Sequence, residues 1–576
     1  MAVDPAREIT APWSLNGRIA RLLTWAPLVL AGAYLIALAV QFGQIVAATY
    51  LDADAASAPV IGELYGGSPL HRDVVLGQMG WFSTLIFELA TRWLPLHRQI
   101  WEAAPYAMAL LSAALIAWGL WHVAGRWAAA VGGTIVVCAA PHTLHLLFSL
   151  NDHSPTWLSL TLLAGVLVFA QQRAGEMGAL MSTAVVVVVG GIVGTNMASD
   201  TLLVVAGVIP SLLAAAGAYA LPMRTGSPLD VRHARERTRA LGLTLATLLV
   251  AGLADALTRL FMHHENVTTP SGIAQTGLAS ADAVTRNFHL WWQSIAVLGN
   301  GEFFGQQLGF TSSLQLVCAG LSILTVVVLV PRIAWRALTT TVRADRPDAL
   351  TGHGWELSTP GERTGVSCVR DAQSLPLVWC IFWGSSAVLL SIGFIVSSTP
   401  VDINSDRYLV GLIYASAALV PLLAGHSALR RAAISLGACV FALTGLITLA
   451  QGTVAGNPGK LPSDSVSAQV AQIARREHLT IGYAGYWDAA PITWATHLAV
   501  KVYPVSACGA QLCPFYIHYI SSWYTPRLGD RTFLISDPTQ PVAAPPVAGL
   551  GPPSAIYHVD ELTMYVYPYD IAARLQ

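Results

Sequence analysis

The 576-residue sequence contains little charge: only 11% of its residues are Asp, Glu, Lys or Arg, whereas 54% are hydrophobic. A soluble protein of this size usually carries about 25% charged residues. This deficit excludes a large soluble enzyme and indicates an integral membrane protein. The net charge of −1 gives no basis for nucleic-acid binding, and the arginine bias (29 of 31 basic residues) is typical of a GC-rich, bacterial genome.

The sequence also lacks the motifs of several soluble enzyme classes. It contains no Walker-type phosphate loop, no dinucleotide fingerprint after a strand, no H-E-x-x-H zinc motif and no G-x-S-x-G nucleophile elbow. Chemistry driven by ATP or a cytosolic nucleotide is therefore not expected. Internal repeats and an evident cleavable signal peptide are also missing, so we expect the first apolar run to be retained as a membrane span.

Cysteine is scarce, with seven in the chain. Cys508 and Cys513 form a C-x4-C pair in a polar region, and a local disulfide is expected there if that region lies outside the cytoplasm. Four other cysteines lie in apolar runs and are expected to be packed thiols. Two cysteines without nearby histidines make a poor zinc site.

Eleven apolar runs have the length expected of membrane-spanning helices, which need about 20 residues. They lie near 24–49, 101–123, 127–148, 155–171, 178–195, 200–222, 240–262, 311–331, 376–397, 407–424 and 433–452. Arginines in the connecting segments, 18 on one side against 5 on the other, place the N-terminus in the cytoplasm. An odd number of spans then places the tail after Gln451 outside.

The sequence therefore predicts a mainly α, polytopic membrane bundle of about eleven helices in residues 1–452, followed by an extracytoplasmic α/β domain in residues 453–576. Within this domain, Ser465 to Glu477 has a helical pattern. The strand-like segments are 479–484, 499–503, 532–535 and 562–567. A domain of this size can bury its own core.

Two aspartates open the first long loop of the predicted bundle. Asp52 and Asp54 immediately follow the first span, in a loop that covers residues 50–100, whereas most other loops are short. A carboxylate at this position could deprotonate an acceptor hydroxyl. The alternative is a solvated helix end, because acids often lie beside a bilayer for that reason alone.

A very short turn between the third and fourth predicted spans joins Asp152 to His153. Such a pair could coordinate a hard metal ion or orient a phosphate. The alternative is a helix start, because Asp152 or Ser154 followed by Pro155 is a good N-cap. Asp200 lies at the same predicted side of the bundle, and it either caps its own helix or faces the same cavity.

Arg407 and its neighbour Tyr408 lie at the outer mouth of the tenth predicted span. A guanidinium group at the membrane surface is a natural partner for a lipid phosphate. The alternative is a salt bridge to Asp402 or Asp406. Arg98, in the first long loop, adds positive charge that could attract a phosphorylated headgroup, although a solvated interface residue is the default interpretation.

This layout resembles the C superfamily of glycosyltransferases, the multi-span enzymes that take sugars from polyprenyl- or dolichyl-phosphate donors. The resemblance lies in the acids after the first span, the eleven predicted spans, the acidic turn after the third span, the Arg407-Tyr408 pair and the C-terminal outer domain. The protein O-mannosyltransferases and the bacterial aminoarabinose transferases are most similar in plan. The resemblance implies a plasma-membrane enzyme of cell-envelope or cell-wall biosynthesis with an extracytoplasmic active site.

By position, the resemblance assigns the general base to Asp54 or Asp52. The family often has adjacent acids there, whereas Ala53 separates them in this chain. The resemblance also assigns the donor phosphate to Arg407. The reaction that it implies is inverting sugar transfer from a polyprenyl-phosphate donor to a glycan, lipid or protein acceptor, with Asp54 as the base and Asp52 assisting.

Two weaker assignments follow from the same resemblance. Asp152 and His153 match a second-loop site that binds a divalent metal, Mg or Mn, in some members. Trp487 and Asp488 match part of the aromatic-aspartate motif of oligosaccharyltransferase catalytic subunits, which would place them on the acceptor side. A packed aromatic core is the alternative interpretation of the segment around Trp487.

Two functions from other classes remain open. A membrane transporter, or a flippase for lipid-linked sugars, would carry charged or broken helices at mid-membrane. Asp255 and Arg259, spaced four residues apart in the seventh predicted span, fit that in part and would form an ion pair on one helix face. The missing repeat and the C-terminal domain disfavour a transporter. A non-enzymatic envelope scaffold with inert acids is the third interpretation.

Overall fold

A computed structural model of the chain describes most of the sequence. The described residues are 15–66, 73–77, 80–150, 153–173, 178–223, 231–269, 277–333, 365–425, 427–451, 466–509, 511–538 and 549–575. In chain order the helices are α1 (Leu15–Thr49), α2 (Ala53–Gly66), α3 (Phe87–Thr91), α4 (His97–Ala124), α5 (Arg126–Val137), α6 (Pro141–Phe148), α7 (Ser154–Arg173), α8 (Ala179–Ser199), α9 (Ile209–Met223), α10 (Val231–His264), α11 (Ala281–Leu298), α12 (Phe310–Leu324), α13 (Gly365–Val396), α14 (Gly411–Leu419), α15 (Ala428–Ala450), α16 (Val466–Arg476) and α17 (Tyr486–Ala495).

Short π-helical and 3-10 segments extend or join several of these helices. The π-helical segments are Trp81–Ile86, Val204–Val208 and Thr325–Leu329. The 3-10 segments are Ile403–Leu409, Val420–Ala424, Ser521–Tyr524 and Ile571–Arg574. The segment Ile403–Leu409 contains Arg407 and Tyr408.

Eight helices in the described part of the chain are long and apolar enough to cross a membrane, which indicates a multi-pass membrane protein. They are α1, α4, α7, α8, α10, α12 with its π-helical continuation, α13 and α15. Each of the eleven predicted spans falls on helical structure, but the count of eleven is not confirmed. Two spans are broken, and the sixth corresponds to a shorter apolar helix, Val204–Ala218.

The clearest break lies between α5 and α6, whose axes are bent by 88° within the predicted span 127–148. Pro141 begins α6, where its missing N–H would have no helical acceptor in any case. The second break, of 49°, lies between Ile403–Leu409 and the helix that begins at Gly411. Both breaks turn short helical segments toward the same end of the bundle.

Asn300 holds the bend between α5 and α6 in place. Its side-chain oxygen accepts from the Ala140 N–H (2.6 Å), and its amide nitrogen donates to the carbonyls of Cys138 (2.8 Å) and Phe441 (3.0 Å). The side chain is fully buried. The bend leaves backbone groups of α5 and α6 without helical partners, and Asn300 satisfies them.

The C-terminal region, residues 466–575, contains a six-stranded mixed sheet with strand order β5-β4-β3-β7-β9-β8. The strands are β3 (Ile481–Ala484), β4 (Lys501–Cys508), β5 (Gln511–Pro514), β7 (Thr532–Ser536), β8 (Ala555–Val559) and β9 (Leu562–Tyr567). The four predicted strands correspond to β3, β4, β7 and β9. The other two, β5 and β8, pair as hairpins with β4 and β9.

A second, three-stranded sheet fastens this region to the bundle. It consists of β1 (Val74–Val75), β2 (Val267–Thr268) and β6 (Tyr519–Ile520), with β1 in the centre. The three strands come from the first long loop, the segment after α10 and the C-terminal region. The approach is close, because a Cβ added to Gly77 would lie 2.7 Å from His518 Nε2. The sheet therefore brings three distant parts of the chain together beside α2.

Candidate functional site

Asp54 lies where these parts of the chain meet. Its Oδ2 is 3.2 Å from an Nη atom of Arg407, and its Oδ1 accepts a hydrogen bond of 2.6 Å from the Tyr486 hydroxyl. Arg407 is 353 residues away along the chain, and Tyr486 is 432 residues away. The structure therefore brings together the predicted base and the predicted phosphate-binding arginine.

Asp52 lies next to Asp54 but has different partners. Its Oδ1 accepts from the Asp54 backbone N–H (2.7 Å), as a residue that caps the start of a helix does. Its Oδ2 lies 3.5 Å from His145 Nε2. Burial acts to raise the pKa of Asp52. The hydrogen bond and charge of His145, together with the backbone N–H groups of Asp54 and Ala55, outweigh it and hold this pKa below its usual value. Asp52 therefore caps the start of α2 and also contacts His145.

Two histidines of α6 contact acidic side chains of this site, although neither was predicted from the sequence. His142 Nε2 lies 2.7 Å from Oδ2 of the fully buried Asp406, and His145 faces Asp52 from the next turn. Both histidines lie inside the predicted span 127–148, and the bend before Pro141 carries them to the site. Their spacing of three residues on one helix was the available signal.

Tyr486 is held firmly at the start of α17. Its ring stacks on Phe515 (4.9 Å between ring centroids) and on His518 (5.8 Å). Burial, reinforced by the charge of Asp54, raises the pKa of the Tyr486 hydroxyl well above its usual value. Burial also lowers the pKa of His518 to about 4. Both groups are therefore neutral near pH 7, and Tyr486 acts as a hydrogen-bond donor to Asp54.

At the predicted second-loop site, His153 bonds Asp200. His153 Nδ1 lies 2.6 Å from Asp200 Oδ2, and the Thr156 hydroxyl also bonds that oxygen. Asp152 lies outside the described residues. His153 packs edge-on against Tyr408, with ring centroids 5.1 Å apart, so this network borders the arginine segment. In the described part of the chain no group of three or more His, Cys, Asp or Glu side chains could hold a metal ion.

Arg98, predicted to attract a phosphorylated headgroup, contacts Glu102 in α4 and Trp494 in α17. It pairs with Glu102 (3.1 Å), donates to the Trp494 carbonyl (3.2 Å) and lies 4.0 Å above the Trp494 ring. These contacts fasten α4 to α17. Asp255 and Arg259 form the expected ion pair at 3.0 Å, near the end of α10 at His264 rather than at its middle.

The aromatic-aspartate segment contains both buried and exposed side chains. Tyr486 is packed, as the aromatic-core interpretation expects, whereas the neighbouring Trp487 is 52% exposed. Asp488 lies in the first turn of α17. Cys508 and Cys513 are joined by a disulfide across the β4–β5 hairpin, which leads directly to Phe515.

An apolar groove lies beside α14, the helix that follows the arginine segment. It has a volume of about 250 Å³ and lies between α5, α11, α12, α14 and α15. Leu412, Ile413 and Ser416 line it from α14, the helix that follows Arg407 within one turn. A ligand whose charged group binds Arg407 could therefore place an attached apolar chain in this groove.

No protein-family model matches the chain, and neither a curated protein nor a solved structure is significantly similar to it. The chemistry available at the site follows from its groups alone. A carboxylate with a phenol donor and a guanidinium group could accept a proton beside a bound anion.

Proposed function

We propose that the protein transfers a sugar from a polyprenyl-phosphate donor to an acceptor hydroxyl, on the extracytoplasmic side of the plasma membrane. The observation that supports this most is the contact between Asp54 and Arg407, because α14, which follows Arg407 in the chain, lines the apolar groove. The site offers a carboxylate for the acceptor, a guanidinium for the phosphate and an apolar path for the lipid.

Arg407 has two roles in this proposal. Without donor it neutralises Asp54, as its contact distance of 3.2 Å allows. Donor phosphate then takes over the guanidinium, since Arg binds phosphate through two parallel hydrogen bonds. This exchange frees one oxygen of Asp54 for the acceptor, while Tyr486 holds the other. The base is therefore exposed only when the donor is in place.

The transfer step is a single displacement. The acceptor hydroxyl gives its proton to Asp54 as its oxygen attacks the anomeric carbon of the donor sugar. The bond from that carbon to the phosphate oxygen breaks, and its electron pair leaves with polyprenyl phosphate. Attack from the side opposite the leaving group inverts the anomeric configuration. His142 and His145, which contact Asp406 and Asp52, offer further ring N–H donors at this site.

A divalent metal, if the protein binds one, would lie at the second-loop site. His153 and Asp200 already bond each other, and Tyr408 covers the imidazole edge. If Asp152 contributes a carboxylate, His153 and Asp152 are the residues that would hold Mg or Mn. A metal there would supply additional positive charge for the phosphate.

We expect Arg407→Gln to lower kcat/KM for the lipid donor by roughly 10- to 150-fold, because a hydrogen bond to a charged group contributes about 1.5–3 kcal/mol. The measurement is release of polyprenyl phosphate from radiolabelled polyprenyl-phosphate sugars by purified protein. Arg286→Gln is the matched control, since Arg286 bonds the Pro400 carbonyl instead. Donor kinetics of Arg407→Gln equal to those of the wild type would refute the phosphate role.

A further inference from the structure

The C-terminal region carries a small aromatic face beside the site. The face consists of Trp487, Phe515 and Tyr516, of which Trp487 is 52% and Tyr516 56% exposed. The Phe515 ring centroid lies 4.4 Å from that of Tyr516 and 4.9 Å from that of Tyr486. The ring centroids of Trp487 and Tyr486 lie 5.2 Å apart. The three rings therefore form one continuous surface around Tyr486.

This aromatic face is separated from Asp54 by a single side chain. Tyr486 contacts both Trp487 and Phe515 with its ring, and its hydroxyl reaches Asp54 at 2.6 Å. A chain-like ligand that covers the aromatic face could thus place one end at the carboxylate. The same contact makes the face part of the path by which an acceptor would reach the site.

The composition around the face indicates what kind of ligand it suits. The two segments that form it, residues 485–489 and 511–518, contain no Lys or Arg, and Asp488 is their only acid. A surface that anchors a protein in an anionic bilayer combines aromatic with basic residues. Flat aromatic rings beside a carboxylate suit a ligand that has apolar ring faces and many hydroxyl donors.

We propose that the aromatic face binds the acceptor and that the acceptor is a carbohydrate chain. This inference rests on the proposed sugar transfer, and it names the acceptor class that the transfer leaves open. Sugar rings stack on Trp487 and Tyr516 through their C–H faces, while a hydroxyl bonds Asp488. The chain then passes Tyr486, and its terminal hydroxyl reaches Asp54. The Cys508–Cys513 disulfide hairpin holds Phe515 and Tyr516 ready for the ligand.

The test is binding of linear neutral oligosaccharides, of two to six pentose or hexose units, to the purified full chain in detergent. Saturation-transfer NMR and titration calorimetry without donor are the measurements. We expect Trp487→Ala and Tyr516→Ala each to weaken binding roughly ten-fold. Trp93→Ala is the control, because Trp93 is 85% exposed and lies outside the face. Trp487→Phe should restore most of the binding.

The Asp54→Asn variant separates this inference from the proposed function. It should still bind the oligosaccharide through the aromatic face, yet release sugar from the donor about 10²- to 10⁴-fold more slowly than the wild type. Wild-type protein that binds none of the oligosaccharides, while Asp54-dependent donor release persists, would overturn the carbohydrate face alone. Preference of the face for an unglycosylated peptide or for phosphatidylglycerol vesicles would overturn it too. Oligosaccharide binding without any donor release would support the face and overturn the proposed transfer.

Discussion

We expect Asp54→Asn to reduce sugar transfer by about 10²- to 10⁴-fold, the range that a general base contributes. Asparagine keeps the shape of the side chain and can still accept the bond from Tyr486. It cannot take the proton of an acceptor hydroxyl, so the loss should appear in kcat. Initial rates at saturating donor, with purified protein matched for amount and helical content, measure the effect.

Two further variants sharpen this prediction. Asp282→Asn is the control, because Asp282 is an exposed residue in the first turn of α11. Asp52→Asn should be milder, since asparagine also caps helices well and only the contact with His145 changes. Full activity of Asp54→Asn would remove Asp54 as the base. A larger loss from Asp52→Asn than from Asp54→Asn would transfer that role to Asp52.

The largest effect on stability is expected at Asn300. Replacing it with alanine leaves the Ala140 N–H and the carbonyls of Cys138 and Phe441 without their partner. Each buried polar group left unsatisfied costs about 1–3 kcal/mol, so we expect a total of roughly 3–9 kcal/mol for the three groups. Asn300 also has a backbone φ of 62°, a conformation that asparagine tolerates better than alanine.

Thermal unfolding in detergent, followed by circular dichroism, measures this loss as a lower apparent Tm. Asn404→Ala is the control, because Asn404 is exposed and its side chain makes a weak contact with Asp402 at 3.4 Å. Transfer activity should fall as well in Asn300→Ala, since the bend positions His142 and His145. An unchanged Tm would show that the bend does not depend on Asn300.

Much of the membrane part could be predicted because long apolar runs have few alternatives to helices. The breaks within the helical spans could not be predicted. The run 127–148 is apolar throughout, and Pro141 within it is compatible with a kinked span as well as with a new helix. Hydropathy therefore counted one span where the chain turns by 88°. The same uncertainty hid His142 and His145 from the candidate site.

The individual site residues were easier to predict than their pairing. Asp54 and Arg407 were each predicted from the sequence, because charge beside an apolar run is conspicuous. Their contact could not be predicted, since 353 residues separate them and nothing local encodes the docking of Ile403–Leu409 against α2. Tyr486 precedes the partial motif of Trp487 and Asp488 and was not predicted. It packs against His518, which directly precedes the two-residue strand β6.

The C-terminal sheet shows a similar limit. Strands β3, β7 and β9 are apolar enough to stand out, whereas β5 contains Pro514 and β8 has an alternating, half-exposed pattern. Both missed strands are hairpin partners, which depend on a neighbouring strand rather than on their own composition. The missed strand β5 matters most, because it leads to the aromatic face.

The most direct test of sugar transfer is the anomeric configuration of the product. Purified wild-type protein is incubated with anomerically defined polyprenyl-phosphate sugars and an oligosaccharide acceptor, and the new glycoside is analysed by proton NMR beside Asp54→Asn. The account predicts release of polyprenyl phosphate and a glycoside of inverted configuration, both lost in Asp54→Asn. No turnover with any donor, a retained configuration, or turnover that persists in Asp54→Asn would contradict it.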